Sequence, residues 1–293
     1  MINAIRSDLR KSFFSINFLL SIIVFIILIF STGCVLLDTS TLSYSIAEFI
    51  FKTDKSLWLE YSSYSCISIF SQGFANQWIG IFIPFLAAFS CVPVFCDEYN
   101  SNYWRHIAER TGFRKYICSK FICSIIISVS LIFICYLIFA FVCFSIFPFP
   151  NEYADSVYTA DWFNYYGFNR IFGSDSVLLF IFSRILTSGL IAQIGGLFCL
   201  AVSSVTMSKY VSLGIPVLTY FFFAQVAKPY MYSGKMEDAK FYFLDNSARF
   251  SSVENWFSDY TGLSVAFAYI YFLLVIAVFF VLYYYVMKRR LKQ

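Results

Sequence analysis

The sequence contains a single histidine, His106, in 293 residues. A histidine-built metal centre or a Ser-His pair is therefore out of reach for its apolar segments. The patterns GxxxxGK[ST], HExxH and GxSxG do not occur. The first absence removes the phosphate cradle, so the chain does not hydrolyse ATP alone. The other two remove the zinc-protease and serine-hydrolase signatures. Gly195-Gly196 is a lone glycine pair in an apolar run and makes no nucleotide fingerprint. No catalytic residue and no metal ligand set is expected, and the chain reads as a non-enzyme. Charge is scarce as well: 13% of residues are charged, against about a quarter in a soluble domain. The net charge of +4 is too small to argue for nucleic acid. None of the nine cysteines forms a CxxC pair; seven lie in or beside apolar runs, Cys118 is juxtamembrane, and Cys66 falls in a polar loop. They read as small apolar helix residues rather than staples.

What is abundant is apolar surface. Hydrophobic residues make up 60% of the chain, and its mean hydropathy is +0.72. A bilayer core about 30 Å thick needs about 20 apolar helical residues to cross. Six runs qualify, at about 16–37, 78–96, 116–147, 178–206, 210–227 and 263–287. The first is preceded by Arg6, Arg10 and Lys11 and ends near STGC, a faint likeness to a lipoprotein cleavage site. Its apolar run is too long for a signal, and it reads as a membrane helix.

Basic residues set the orientation. Thirteen of the 21 Lys and Arg fall before the first span, in the second and fourth loops with Lys120 at the mouth of the third span, and in the tail. The loops at about 38–77, 148–177 and 228–262 are mixed or acidic. Both termini are therefore expected in the cytoplasm. Ahead of the first span, Ile2, Ile5, Leu9 and Phe13 recur every three or four residues, with Arg6, Asp8, Arg10 and Lys11 off that stripe. Residues 1–14 are expected to form an amphipathic helix in the interface. The predicted fold is all-α: a single polytopic domain of six transmembrane helices behind that interfacial helix.

No Asp, Glu or Lys lies near the middle of a predicted span, which argues against an ion-coupled carrier or a proton pump. Arg184, near the outer end of the fourth, is expected to snorkel to the headgroups. Within that span Ser188, Ala192 and Gly196 recur at i, i+4, i+8, with Gly195 beside them. Small residues at this spacing let helices approach closely in lipid. They mark either an enclosed helix or a dimer seam. Pro84 and Pro93 interrupt the second span and Pro216 the fifth.

Between the second and third spans, residues 97–115 concentrate charge and aromatics. Asn100, Ser101 and Asn102 are good helix starters, and Gly112 suits a helix stop. They bound a predicted nine-residue helix, Tyr103–Thr111, about 14 Å long. Trp104, Ile107 and Ala108 share one face; Arg105 and Glu109 form an i, i+4 pair on another. An exposed Trp beside Arg has the composition of an interface hot spot. The plainer alternative is a topology-setting loop whose Trp and Tyr rest on headgroups.

This arrangement resembles the permease subunits of ABC transporters of the six-helix exporter class, the type-2 permeases. The likeness rests on the leading amphipathic helix and on six spans with both ends inside. It rests also on the order Glu98, Tyr103–Arg110, Arg114, Tyr116 and Lys120. Where that family often has Gly-Thr after the acidic residue, Asn100–Asn102 stands here. The resemblance implies that 97–115 is a coupling loop docking on a separate ATPase subunit. Glu98, Tyr103, Trp104, Arg105, Ile107, Ala108, Glu109 and Arg110 are its expected contact residues. It implies two ATPase copies, a second permease copy (identical or not), and ATP with Mg on the partner rather than on this chain. The location implied is the bacterial plasma membrane. The aromatic-rich outer loops, with Trp162 and Trp256, and the absence of charge mid-membrane favour an amphipathic or hydrophobic cargo such as a peptide toxin or antimicrobial peptide. The rival reading is a passive channel or a membrane scaffold.

Overall fold

A computed structural model describes residues 2–32, 35–36, 43–52, 65–75, 77–149, 172, 176–231 and 266–291. Apart from one antiparallel bridge of two-residue strands, β1 (Val35–Leu36) with β2 (Ser43–Tyr44), the described elements are helices. Of the aromatic outer loops, 150–171 and 232–265 lie outside the described residues.

Helix α1 (Ile2–Phe13) turns by 56° into α2 (Ile16–Thr32). The turn is fastened by Ser15, whose hydroxyl donates to the Ser12 carbonyl at 2.7 Å and accepts from the Phe18 amide at 3.2 Å. Next come α3 (Ile46–Lys52), α4 (Cys66–Ala75), α5 (Gln77–Phe89), α6 (Val92–Asn100) and α7 (Tyr103–Thr111). The long helices are α8 (Phe113–Ile146), α9 (Val177–Thr206), α10 (Lys209–Met231) and α11 (Ala266–Leu291). Among the described residues, α8, α9 and Tyr269–Arg290 of α11 are each long and apolar enough to cross a membrane. The number rises to five if the bent pairs α1–α2 and α5–α6 each count as one span. Helix α10 has 23 residues and occupies the place of the expected fifth run.

The expected loop 38–77 is partly helical. Ser45 and Glu48 form a reciprocal capping box at the start of α3: the Ser45 amide donates to the Glu48 carboxylate and the Glu48 amide to the Ser45 hydroxyl, each at 3.2 Å. Helix α4 is buried rather than aqueous. Its Phe74 ring stacks on Tyr136 of α8 with centroids 4.0 Å apart, and Cys66, expected in a polar loop, is fully buried at its start. Ser65, Ser68 and Ser71 break the apolar run in sequence, which hides this helix from a hydropathy reading. The second span bends by 43° at Ser90-Cys91. Pro93 lies in the first turn of α6, where a missing N–H costs nothing, so the chain restarts a helix there; Pro84 stays inside α5.

At the centre stands α9. Its most apolar stretch is 67% buried, against 44% for α8 and 17% for α11. The small residues explain how. A Cβ on Gly195 would stand 2.1 Å from Pro84 Cβ of α5, and one on Gly196 would stand 2.9 Å from the Ser128 hydroxyl of α8. Ser188 and Ala192 are buried on the same helix. The close approaches at Gly195 and Gly196 are made to α5 and α8 of the same chain. Arg184 does not snorkel outward; it is buried, with its guanidinium over the Phe180 ring at 5.7 Å.

Candidate functional site

Helix α8 has 34 residues and so extends about 51 Å, well beyond the ~30 Å that a bilayer core requires. Its surplus first turns carry Arg114, Lys115, Tyr116 and Lys120, and against them gather α1, α6, α7 and the end of α11. The segments read as basic loops meet at this end. Lys209 at the start of α10 pairs with Asp97 at the end of α6, and Arg290 of α11 donates to the Val205 carbonyl of α9. The Asp97 carboxylate beside Lys209 holds its ammonium above the usual lysine range.

The centre of the assembly is Lys120, 1% exposed in its side chain. Its ammonium lies 2.7 Å from Asp8 of α1 and 2.5 Å from Glu98 of α6. It also sits over the rings of Phe95 and Tyr116 at 5.2 and 5.4 Å. Lys11 of α1 reaches the other Glu98 oxygen at 3.2 Å and lies over the Tyr103 ring of α7 at 5.5 Å. Two carboxylates and two ammonium groups thus form a neutral cluster that ties three helices to the start of a fourth. Ion pairing offsets the cost of burying these charges only when the geometry is this close. Burial nevertheless pushes the Asp8 carboxyl above its ordinary range, against the pull of Lys120.

The sequence pattern puts Asp8 off the apolar stripe of α1, with Arg6, Arg10 and Lys11. Asp8 is instead on the buried face beside Ser12, because Lys120, 112 residues away, turns that face inward. Ile5 and Leu9 of the predicted apolar stripe pack against the core, and the Cys123 thiol donates to the Ile5 carbonyl at 3.5 Å.

Helix α7 runs from Tyr103 to Thr111 and is held at both ends. Asn102 adopts the left-handed conformation, φ 55°, which asparagine tolerates and which closes α6 while opening α7. Gly112, at φ 85°, is the single residue between α7 and α8, and its amide donates to the Ala108 carbonyl at 2.9 Å. Trp104 was expected to be exposed. It is 2% exposed and meets Tyr99 of α6 edge-on, with centroids 6.0 Å apart. The Tyr99 hydroxyl in turn lies 2.9 Å from that of Tyr283 and donates to Met287 Sδ of α11 at 3.4 Å. Ala108 is buried and Ile107 half-buried. The apolar face of α7 therefore points into its own chain. Tyr103, Arg105, His106, Glu109 and Arg110 point out. Arg105 and Glu109 form no ion pair with each other; the Arg105 guanidinium lies over the Trp104 ring at 5.6 Å.

The Asp8–Lys120–Glu98–Lys11 cluster is not legible in the sequence as a unit. A signal for it existed in a lysine and an acidic residue, Lys120 and Glu98, each placed at the end of an apolar run. The eight described cysteines are free, and no group of His, Cys, Asp and Glu suited to a metal occurs among the described residues.

These features define a multi-pass helical membrane protein with a buried charge cluster and a short clamped helix at one end. No protein-family model, curated protein or solved structure matches the chain.

Proposed function

We propose that the chain is the permease subunit of an ATP-driven exporter of the type-2 ABC class, with α7 as the element that receives force from a separate ATPase. In this reading α2, α5–α6, α8, α9, α10 and α11 are six spans, both termini are cytoplasmic, and the location is the bacterial plasma membrane. Two ATPase subunits and a second permease copy complete the transporter, ATP and Mg stay on the ATPase, and the cargo is an amphipathic or hydrophobic molecule such as an antimicrobial peptide.

The clamping of α7 is the observation that carries the proposal. A one-residue joint at Gly112, a left-handed corner at Asn102 and the buried Trp104 leave the helix little freedom against α6 and α8. A push on its outer face therefore moves α6 and the long α8 instead of dissipating in a loop. The contact surface is accordingly not Trp104 and Ala108 but the outward set Tyr103, Arg105, His106, Glu109 and Arg110. Ile107 is half-buried between the two faces, and Glu98 acts from behind, through Lys11 and Lys120.

The test is co-purification of the chain with its native neighbours in mild detergent. An ATPase carrying a phosphate-binding loop should accompany the wild-type chain. It should be lost, at least tenfold, from a Glu109→Arg, Arg110→Glu double variant that still elutes as a single sharp species. Trp104→Ala should instead broaden or collapse that species, since truncating a buried Trp costs about 3–5 kcal/mol. A wild-type chain that is stable and ordered with no ATPase would overturn the proposal in favour of a channel or scaffold.

A further inference from the structure

Helix α1 has a second face. Ser7, Arg10, Lys11 and Phe14 follow one another at i, i+3, i+4 and i+7, which places them on a single side of the helix, opposite Ile5 and Leu9. They line an open recess of about 410 Å³. Ser7, Arg10 and Lys11 are exposed, and Phe14 is 82% exposed at the corner where α1 turns into α2. Two residues beyond Phe14 a wholly apolar exposed stripe begins on α2: Ile16, Leu20, Ile23 and Ile27, at i, i+4, i+7 and i+11.

We infer that this recess is a headgroup site for an anionic phospholipid. Its phosphate would be held by Arg10, Lys11 and the Ser7 hydroxyl, with Phe14 against the glycerol and first methylenes. Charge complementarity selects the ligand. Two cations and a hydroxyl converge at the start of a membrane helix. Among the described residues no carboxylate lines the recess, and Glu98, which pairs with Lys11, is itself buried. The α2 stripe supplies apolar surface for an acyl chain where the headgroup site ends. A soluble anion would use the cations alone and gain nothing from Phe14.

Lys11 gives the site a consequence. It is shared between the recess, the Glu98 carboxylate at 3.2 Å and the Tyr103 ring of α7. A headgroup phosphate competes for the same ammonium and so acts on the link between α1 and α7. The identity of the lipid therefore reaches the clamped helix through one side chain.

The experiment is native mass spectrometry of the full chain in detergent, titrated with phosphatidylglycerol or phosphatidylcholine. It needs no ATPase, so it stands or falls independently of the transporter reading. The wild-type chain should retain one phosphatidylglycerol with at least fivefold preference over phosphatidylcholine. Arg10→Gln, a surface change that leaves the fold intact, should lower that preference to within twofold of unity. Arg289→Gln, at the far end of the chain, should preserve it. An unchanged preference in Arg10→Gln overturns the site, as does a wild-type chain with no preference. Displacement of the bound lipid by millimolar inorganic phosphate overturns the lipid assignment, since it would show that charge alone is recognised.

Discussion

Lys120 shows how one side chain governs several others. With it present, Asp8 and Glu98 share a cation in a nearly dry pocket. With it removed, Asp8 loses its cation and faces Glu98, which keeps only the partly exposed Lys11 at 3.2 Å, and breaking a buried pair in this way costs about 3–5 kcal/mol. Lys120→Met should therefore lower the thermal stability of the detergent-solubilised chain sharply. Adding Asp8→Asn and Glu98→Gln to it should recover most of the loss, because the stranded charges are then gone. Equal stability of the single and triple variants, read from a melting curve by size-exclusion chromatography, would mean that the cluster is solvated. Trp104 carries the complementary lesson. Its aromatic, Arg-flanked setting reads as a docking hot spot in sequence, yet Tyr99 and the core behind it take the ring inward. Composition alone does not tell an anchor turned outward from one turned inward.

At the scale of elements, glycine and proline decide how helices meet. Gly112 has open space around it, so a Cβ there meets no atom, but its φ of 85° is one that other residues avoid. Gly112→Ala should cost about 1–3 kcal/mol through backbone strain alone. Gly195 is the converse case: its helical backbone tolerates any side chain, but Pro84 occupies the room. Gly195→Ala should cost about 1–3 kcal/mol through overpacking, and it should push α5 from α9. A disulfide-crosslinking rate between cysteines placed on those two helices would fall in this variant and stay unchanged in Gly112→Ala. Both glycines stand out in the sequence. Gly112 follows a short amphipathic segment and is legible as a helix stop. The partner of Gly195 was not legible, because Pro84 is more than a hundred residues away.

For the whole molecule, the segments rich in Lys and Arg come to one end of the helix bundle, joined by Lys209 with Asp97, Arg290 with Val205, and the Tyr99–Tyr283 pair. If that end faces the cytoplasm, tags on the two termini should be cleaved by protease only in inverted membrane vesicles, and a tag inserted after residue 160 only in right-side-out ones. Cleavage of the two termini from opposite sides would refute an even number of spans. The same gathering gives the proposed coupling its route. A load on α7 reaches α8 through Gly112, α6 through Asn102, α11 through Tyr99 and α1 through Lys11.

Several features were determined by the local chain alone. The predominance of helix, the apolar segments and the bounds of α7 all follow from apolar runs and from the residues, Asn102 and Gly112, that take positive φ at the ends of α7. What only the tertiary structure decided is direction: which face of α1 and α7 turns inward, which helix α9 packs against, and that α4 is buried despite its serines. Each of these depends on a partner far along the chain, Lys120 for Asp8, Tyr283 for the Tyr99 that covers Trp104, Pro84 for Gly195, Tyr136 for Phe74. Hydrophobic periodicity says that a face will be covered; it does not say by what, and a buried ion pair can overrule it.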